Sequence, residues 1–215
     1  MILDQQQLNE EFDRQVANLV AKGYPELANL SEEELINEIA PLKEKLIGLS
    51  LPAVDLELGK LPFVIVVNNE LISPELMMEK AEKNGKSGVT ILRPHTSKKF
   101  HPINEVAIPK VYAYLLLDID RGKESLNLPP NEAIKLIKNE GRSPLTISEG
   151  IAIVTQFPEL LIKNNCFSLL ASRTGKDQRV PAIWINAKKE PNLGWCWDGN
   201  PHTWLGSASS NGRIA

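Results

Sequence analysis

The chain has 215 residues, enough to bury a core without disulfides or metals, and its 24 Lys and Arg against 27 Asp and Glu give a formal charge of −3. That balance sets up no field that would draw the protein to nucleic acid or to an anionic bilayer. The two cysteines, an N-terminus with no basic start or apolar run, and apolar stretches far too short to span a bilayer point to a reducing cytoplasm and exclude membrane embedding.

In chain order, Leu8, Phe12, Val16, Leu19 and Val20 recur at spacings of three and four, which predicts an amphipathic helix from about residue 4 to Gly23. Ser31 with Glu34 three residues later opens a second helix, since hydroxyl and carboxylate can each satisfy an orphaned backbone N–H. Leu35, Ile39, Leu42 and Leu46 form its stripe, and Pro41 inside the pattern predicts a kink or a break. Residues 1–50 therefore read as an N-terminal helical extension that packs on the rest or on a second copy, and residues 51–215 as the main α+β domain.

Residues 61–68 (LPFVIVVN) are apolar and β-branched, the signature of a buried strand. Ser73-Pro74 starts a helix for which Gly85 is a suitable stop, and residues 89–93 form a short strand. The polar, proline-punctuated stretch 94–109 is a loop, and residues 111–119 (VYAYLLLDI) are the longest strand. A helix over 130–139 with Gly141 as its cap follows, then one that opens on the capping pair Thr146 and Glu149 and runs to Phe157. From Cys166 the period becomes strand-like, with CFSLLASR, VPAIWINA, LGWCW and HTWLGSAS forming an antiparallel meander. The fold class is α+β: a helical N-terminal hairpin, a mixed sheet with helices on one face, and the C-terminal meander.

All four tryptophans, Trp184, Trp195, Trp197 and Trp204, fall in the last third of the chain. If Asp198-Gly199-Asn200-Pro201 is a hairpin loop, Trp197 opposes His202, Trp195 opposes Trp204, and all four side chains share one face. Each indole carries roughly 150–250 Å² of buriable surface, so three together approach or exceed the roughly 300–600 Å² of the largest apolar patch on a typical monomer and cannot all be left wet. Core packing, a platform for a flat ligand with His202 at its edge, and a subunit interface are the three readings. The same register sends Cys196 and His202 to opposite faces, which argues against a thiolate and base pair.

Asp118 and Asp120 end the long strand two residues apart, so they either serve turn chemistry or hold a divalent cation, with Glu124 as a third ligand. His95, His101 and Glu105 can be drawn as ligands as well, though their loop enforces no period. Arg173, Lys176 and Arg179 bracket the turn RTGKDQR, which lacks the glycine and the Ser or Thr of a phosphate-binding loop and reads as a solvated tip able to present guanidinium groups to an anion.

GRSPLTISEGIAIVTQFPELL, NCFSLLASR, RVPAIWI and GWCWDGNPHTWLGSAS resemble, in order and spacing, an uncharacterised bacterial domain family of unknown function seen in actinobacterial and cyanobacterial proteins. Asp118, Asp120 and Gly122 fall where that family carries an acidic strand end and a turn. The resemblance implies no activity, no cofactor and no catalytic residue. The residues themselves point first to a cytoplasmic binding or interaction protein for a small molecule or a protein partner, not for nucleic acid or membrane, with a homodimer as one arrangement. No cofactor is required by this reading. Ligand contacts are expected from Trp195, Trp197, His202, Trp204, Arg173 and Arg179. The rival from another class is a hydrolase or transferase for a phosphorylated or sugar-bearing substrate, with Asp118 and Asp120 on a divalent ion and His202 moving a proton.

Overall fold

The computed structural model describes residues 1–215. Helix α1 (Gln5–Ala21) opens on Asp4, whose carboxylate accepts the Gln7 N–H while the Gln7 side chain accepts the Asp4 N–H. A single turn, α2 (Tyr24–Leu27), leads to α3 (Glu32–Ile39), capped by Ser31 and Glu34 as the spacing predicts. Pro41 converts the following stretch, Ala40–Leu46, to a 3-10 helix, because the proline removes a donor and crowds the preceding turn.

Strand β1 (Lys60–Val67) is buried along nearly its whole length. Helix α4 (Pro74–Lys80) ends earlier than Gly85, a correction with a clear cause: Ala81 is extended, and Asn84 and Gly85, at φ 52° and 73°, make the tight turn between β2 (Glu82–Lys83) and β3 (Lys86–Ser87). Asn-Gly is a hairpin signal before it is a helix stop. β4 (Val89–Thr90), β5 (His101–Pro102), β6 (Ala113–Asp120), α5 (Pro130–Asn139), β7 (Ser143–Pro144) and α6 (Ile147–Gln156) follow. The remaining strands are β8 (Cys166–Ser168), β9 (Ser172–Arg173), β10 (Arg179–Ile185), β11 (Pro191–Trp197), β12 (Leu205–Ser207), β13 (Ser209–Ser210) and β14 (Gly212–Ile214).

Two five-stranded sheets result, β1-β6-β13-β7 with β14 also on β6, and β12-β8-β10-β11-β4. Every residue of α6 is buried, and this helix touches β1 of the first sheet and β10 of the second. Its Gly150 permits that closeness, since a Cβ there would stand 2.5 Å from the Leu169 side chain. The N-terminal helices share the same continuous apolar core, through Leu8, Phe12, Leu35 and Ile39. Gln15, inside the apolar stripe of α1, donates to the Phe63 carbonyl at 3.0 Å and accepts the Ile65 N–H at 2.8 Å. It thereby satisfies backbone groups on the side of β1 that no strand covers.

The hairpin expected at Asp198-Gly199-Asn200-Pro201 does not form. β8, β10 and β11 do make an antiparallel meander, but β11 lies between β10 and β4, which enters parallel to it. β12 crosses to the far edge and pairs parallel with β8, Leu205 beside Cys166. The intervening segment is bonded elsewhere: Asp198 N–H to the Gln178 carbonyl, the Asp198 carbonyl to Asn131 N–H, and the His202 carbonyl to Asn127 N–H. No helix is long and apolar enough to cross a membrane.

Candidate functional site

The aromatic residues separate into two clusters instead of one face. Trp195 and Trp197, two apart on β11, share a face with ring centroids 5.0 Å apart. Arg179, directly across from Trp197 on β10, lays its guanidinium carbon 4.4 Å and 4.7 Å from the two ring centroids. It also pairs with Asp177, whose carboxylate meets His95 Nε2 at 2.8 Å. His95 first, then Arg179, holds the Asp177 carboxyl below the ordinary range. Arg173 pairs with Asp198 at 2.8 Å. Trp204 and His202 instead gather with Trp184, at centroid separations of 6.3 Å and 5.1 Å from the Trp204 ring. Trp184 lies over Gly194, hence on the other side of the ribbon from Trp195.

The guanidinium thus stacks against both indoles, with Trp197 still 40% exposed, and the cluster braces a loop. Trp195 Nε1–H donates to the Arg93 carbonyl at 2.8 Å, Asp177 holds His95, and β5 pairs with β9. Together these contacts pin the segment from Arg93 to Pro102 against the second sheet.

The strand-end carboxylates face separate cations. Asp118 sits at φ 45° and bonds Arg142, which reaches the Asp118 carboxylate at 3.1 Å and its carbonyl. Asp120 pairs with Lys60 across the sheet and accepts the Gly122 N–H at 2.7 Å. His202 lies against Trp204, so the three groups that a metal-assisted hydrolase would draw together have different partners. The loop trio is likewise apart: His95 is on Asp177, Glu105 on Lys138, and His101 pairs in β5. No group of three or more His, Cys, Asp or Glu side chains is placed to hold a metal ion. Cys166 and Cys196 are free and buried, and burial pushes both thiols up, away from reactive thiolate.

On the other side of the pinned loop lies a cleft of about 360 Å³, within the range of roughly 300–1,000 Å³ typical of small-ligand sites. Its floor is Tyr114 of β6 and the first turn of α6; its walls are the end of β1 with Asn68 to Glu70, Ser97 to Pro102, and Ile108 to Lys110. Tyr114, Ser97, Thr146, Ser148 and Ser172 are each more than nine-tenths buried, so polar side chains from separate segments meet in one recess. Thr146 and Glu149 form the capping pair that the spacing predicts, and it fixes this helix start. The Glu149 carboxylate, fully buried, is gripped by Arg213 through Nε and Nη2 and accepts the Tyr114 hydroxyl at 3.0 Å. Lys98, Lys110 and Ser148 were not legible as site residues: nothing in the chain says that the 94–110 loop folds over the start of α6. The one signal was the capping pair, which locates a helix terminus without saying what it faces.

The fold and the recess define an α+β protein with a loop-walled polar cleft at a helix start. The chain belongs to the family of unknown function DUF5701, whose model matches residues 18–215. No curated protein and no solved structure matches the chain.

Proposed function

We propose that the protein binds a small molecule in the cleft between the start of α6 and the 94–110 loop. The observation that carries this reading is the Ser148 side chain: it is 7% exposed, lines the cleft, and its hydroxyl makes no hydrogen bond within the chain, unlike the bonded hydroxyls of Ser97 and Ser172 beside it. The hydroxyl oxygen itself is open to the recess and not sealed in the core, so it is a donor available to whatever occupies this concave surface. In this reading Trp195, Trp197, Arg179 and Arg173 position the loop and do not touch the ligand.

A screen of small fragments by amide chemical-shift mapping tests it. Hits should move the amides of Ile147, Ser148 and Asn69 together, and Ser148→Leu, which fills the recess, should abolish them. Hits that map to other surfaces, or that persist unchanged in Ser148→Leu, would defeat the reading.

A further inference from the structure

We infer that the ligand presents a phosphate monoester or an equivalent compact anion to Ser148 at the start of α6; this rests on the cleft reading above and names the chemistry that the cleft selects. Helix α6 has ten residues, and the unpaired N–H groups of its first turn concentrate partial positive charge at the cleft floor. Two of the donors there are taken: Thr146 N–H by the Glu149 carboxylate at 2.7 Å, and Ile147 N–H by the Ser172 hydroxyl at 3.0 Å. Ser148 N–H has no acceptor in the chain, and neither does its hydroxyl, so one residue offers two donors side by side. An oxyanion satisfies both at once, which a single neutral carbonyl lone pair does less well.

The charge around the cleft agrees. Lys98 and Lys110 stand on its walls and, unlike Lys43, Lys60, Lys135 and Lys138, make no ion pair. Glu70 is the one carboxylate on the wall and opposes an anion. Glu149, beneath the floor, is matched by Arg213 and so presents no bare negative charge upward. The recess of about 360 Å³ exceeds a phosphate group alone, leaving room for a small organic residue.

The experiment is an amide chemical-shift titration of the full chain with inorganic phosphate at ionic strength held constant with sodium chloride, repeated with glycerol 3-phosphate. Expected is a saturable response centred on Ser148 and Ile147, with the ester binding at least as tightly as phosphate. Ser148→Ala, which removes a hydroxyl with no structural bond, should weaken phosphate about tenfold or more, the effect of one charge-assisted hydrogen bond. Lys98→Ala combined with Lys110→Ala should weaken it about tenfold, and Glu70→Gln should tighten it. Nonsaturable shifts, or affinities indifferent to Ser148→Ala and Glu70→Gln, overturn the proposal; an ester weaker than phosphate overturns the monoester assignment. If neutral fragments move the cleft amides while phosphate does not, the anion class falls and the cleft reading stands. If neither probe moves them, both fall.

Discussion

Arg213→Met tests the scaffold beneath the cleft most directly. The Arg213 side chain is 7% exposed and bonds both Glu149 oxygens, the Ser143 hydroxyl at 2.7 Å and the Pro144 carbonyl at 3.0 Å, while the Glu149 carboxylate is fully buried. Removing one partner of such a pair leaves an uncompensated buried charge, at a cost of about 3–5 kcal/mol. For a urea dependence near 3 kcal/mol per molar, the unfolding midpoint should drop by roughly 1–1.7 M. Urea denaturation followed by far-ultraviolet dichroism and by tryptophan emission reads this, and coincident transitions license the two-state treatment. The double variant Arg213→Met with Glu149→Gln, which removes both charges and keeps an acceptor for the Thr146 N–H, should be more stable than Arg213→Met alone. A single-variant loss below about 1 kcal/mol, or a double variant whose loss is the plain sum of the two, would refute the reasoning, because residues in one charged network couple.

Arg179→Ala should cost about 1–2 kcal/mol through the lost cation–π stack and raise the acrylamide quenching of tryptophan emission as the indole faces of Trp195 and Trp197 open; unchanged quenching counts against the brace. Gly194→Ala places a Cβ 2.2 Å from Trp184 Cη2, so the indole must shift; a loss of about 1–3 kcal/mol and an altered near-ultraviolet spectrum are expected, and an unchanged spectrum contradicts the packing. Burial pushes the Tyr24 hydroxyl up to about 12 and also raises Tyr114, which a neighbouring Glu149 charge raises further. A phenol whose value is higher in the folded state contributes stability that is full below the unfolded value of about 10 and is lost as pH rises through the folded one, at about 1.4 kcal/mol per pH unit for each such group. Absorbance at 295 nm should accordingly show Tyr24 and Tyr114 ionising only with alkaline unfolding; titration of either ahead of the unfolding transition contradicts the burial.

The local grammar of the chain was readable because its signals are short-range. The capping pairs at Ser31 and Thr146, the Pro41 break and the β-branched run of β1 all depend on residues within a turn or two, and each appears where the spacing puts it. The α+β class and the three-strand antiparallel core of the second sheet followed from the same periodicities. What failed was partner choice between strands. A four-residue turn after β11 suggested the nearest neighbour, whereas β12 pairs with β8 and β4 arrives from a distant part of the chain. Period alone carries alternation within a strand but no address for the strand beside it. The site went the same way. Arg179, Trp195 and Trp197 do meet, since they lie on adjoining paired strands, yet Trp204 and His202 travel with β12 and leave them. Ser148 looked like an ordinary helix residue, and its value comes from a loop some fifty residues earlier in the chain folding over it.

Gln15 has a practical bearing on how the protein is handled. Its amide shields the lateral backbone of β1, whose FVIVV run after Pro62 combines high β-propensity with no charge, the composition from which intermolecular β-stacking starts. A clone trimmed to the family match beginning at residue 18 would discard that amide along with Leu8 and Phe12, uncovering a sticky strand and inviting insoluble material. Recombinant work is best served by keeping α1 whole.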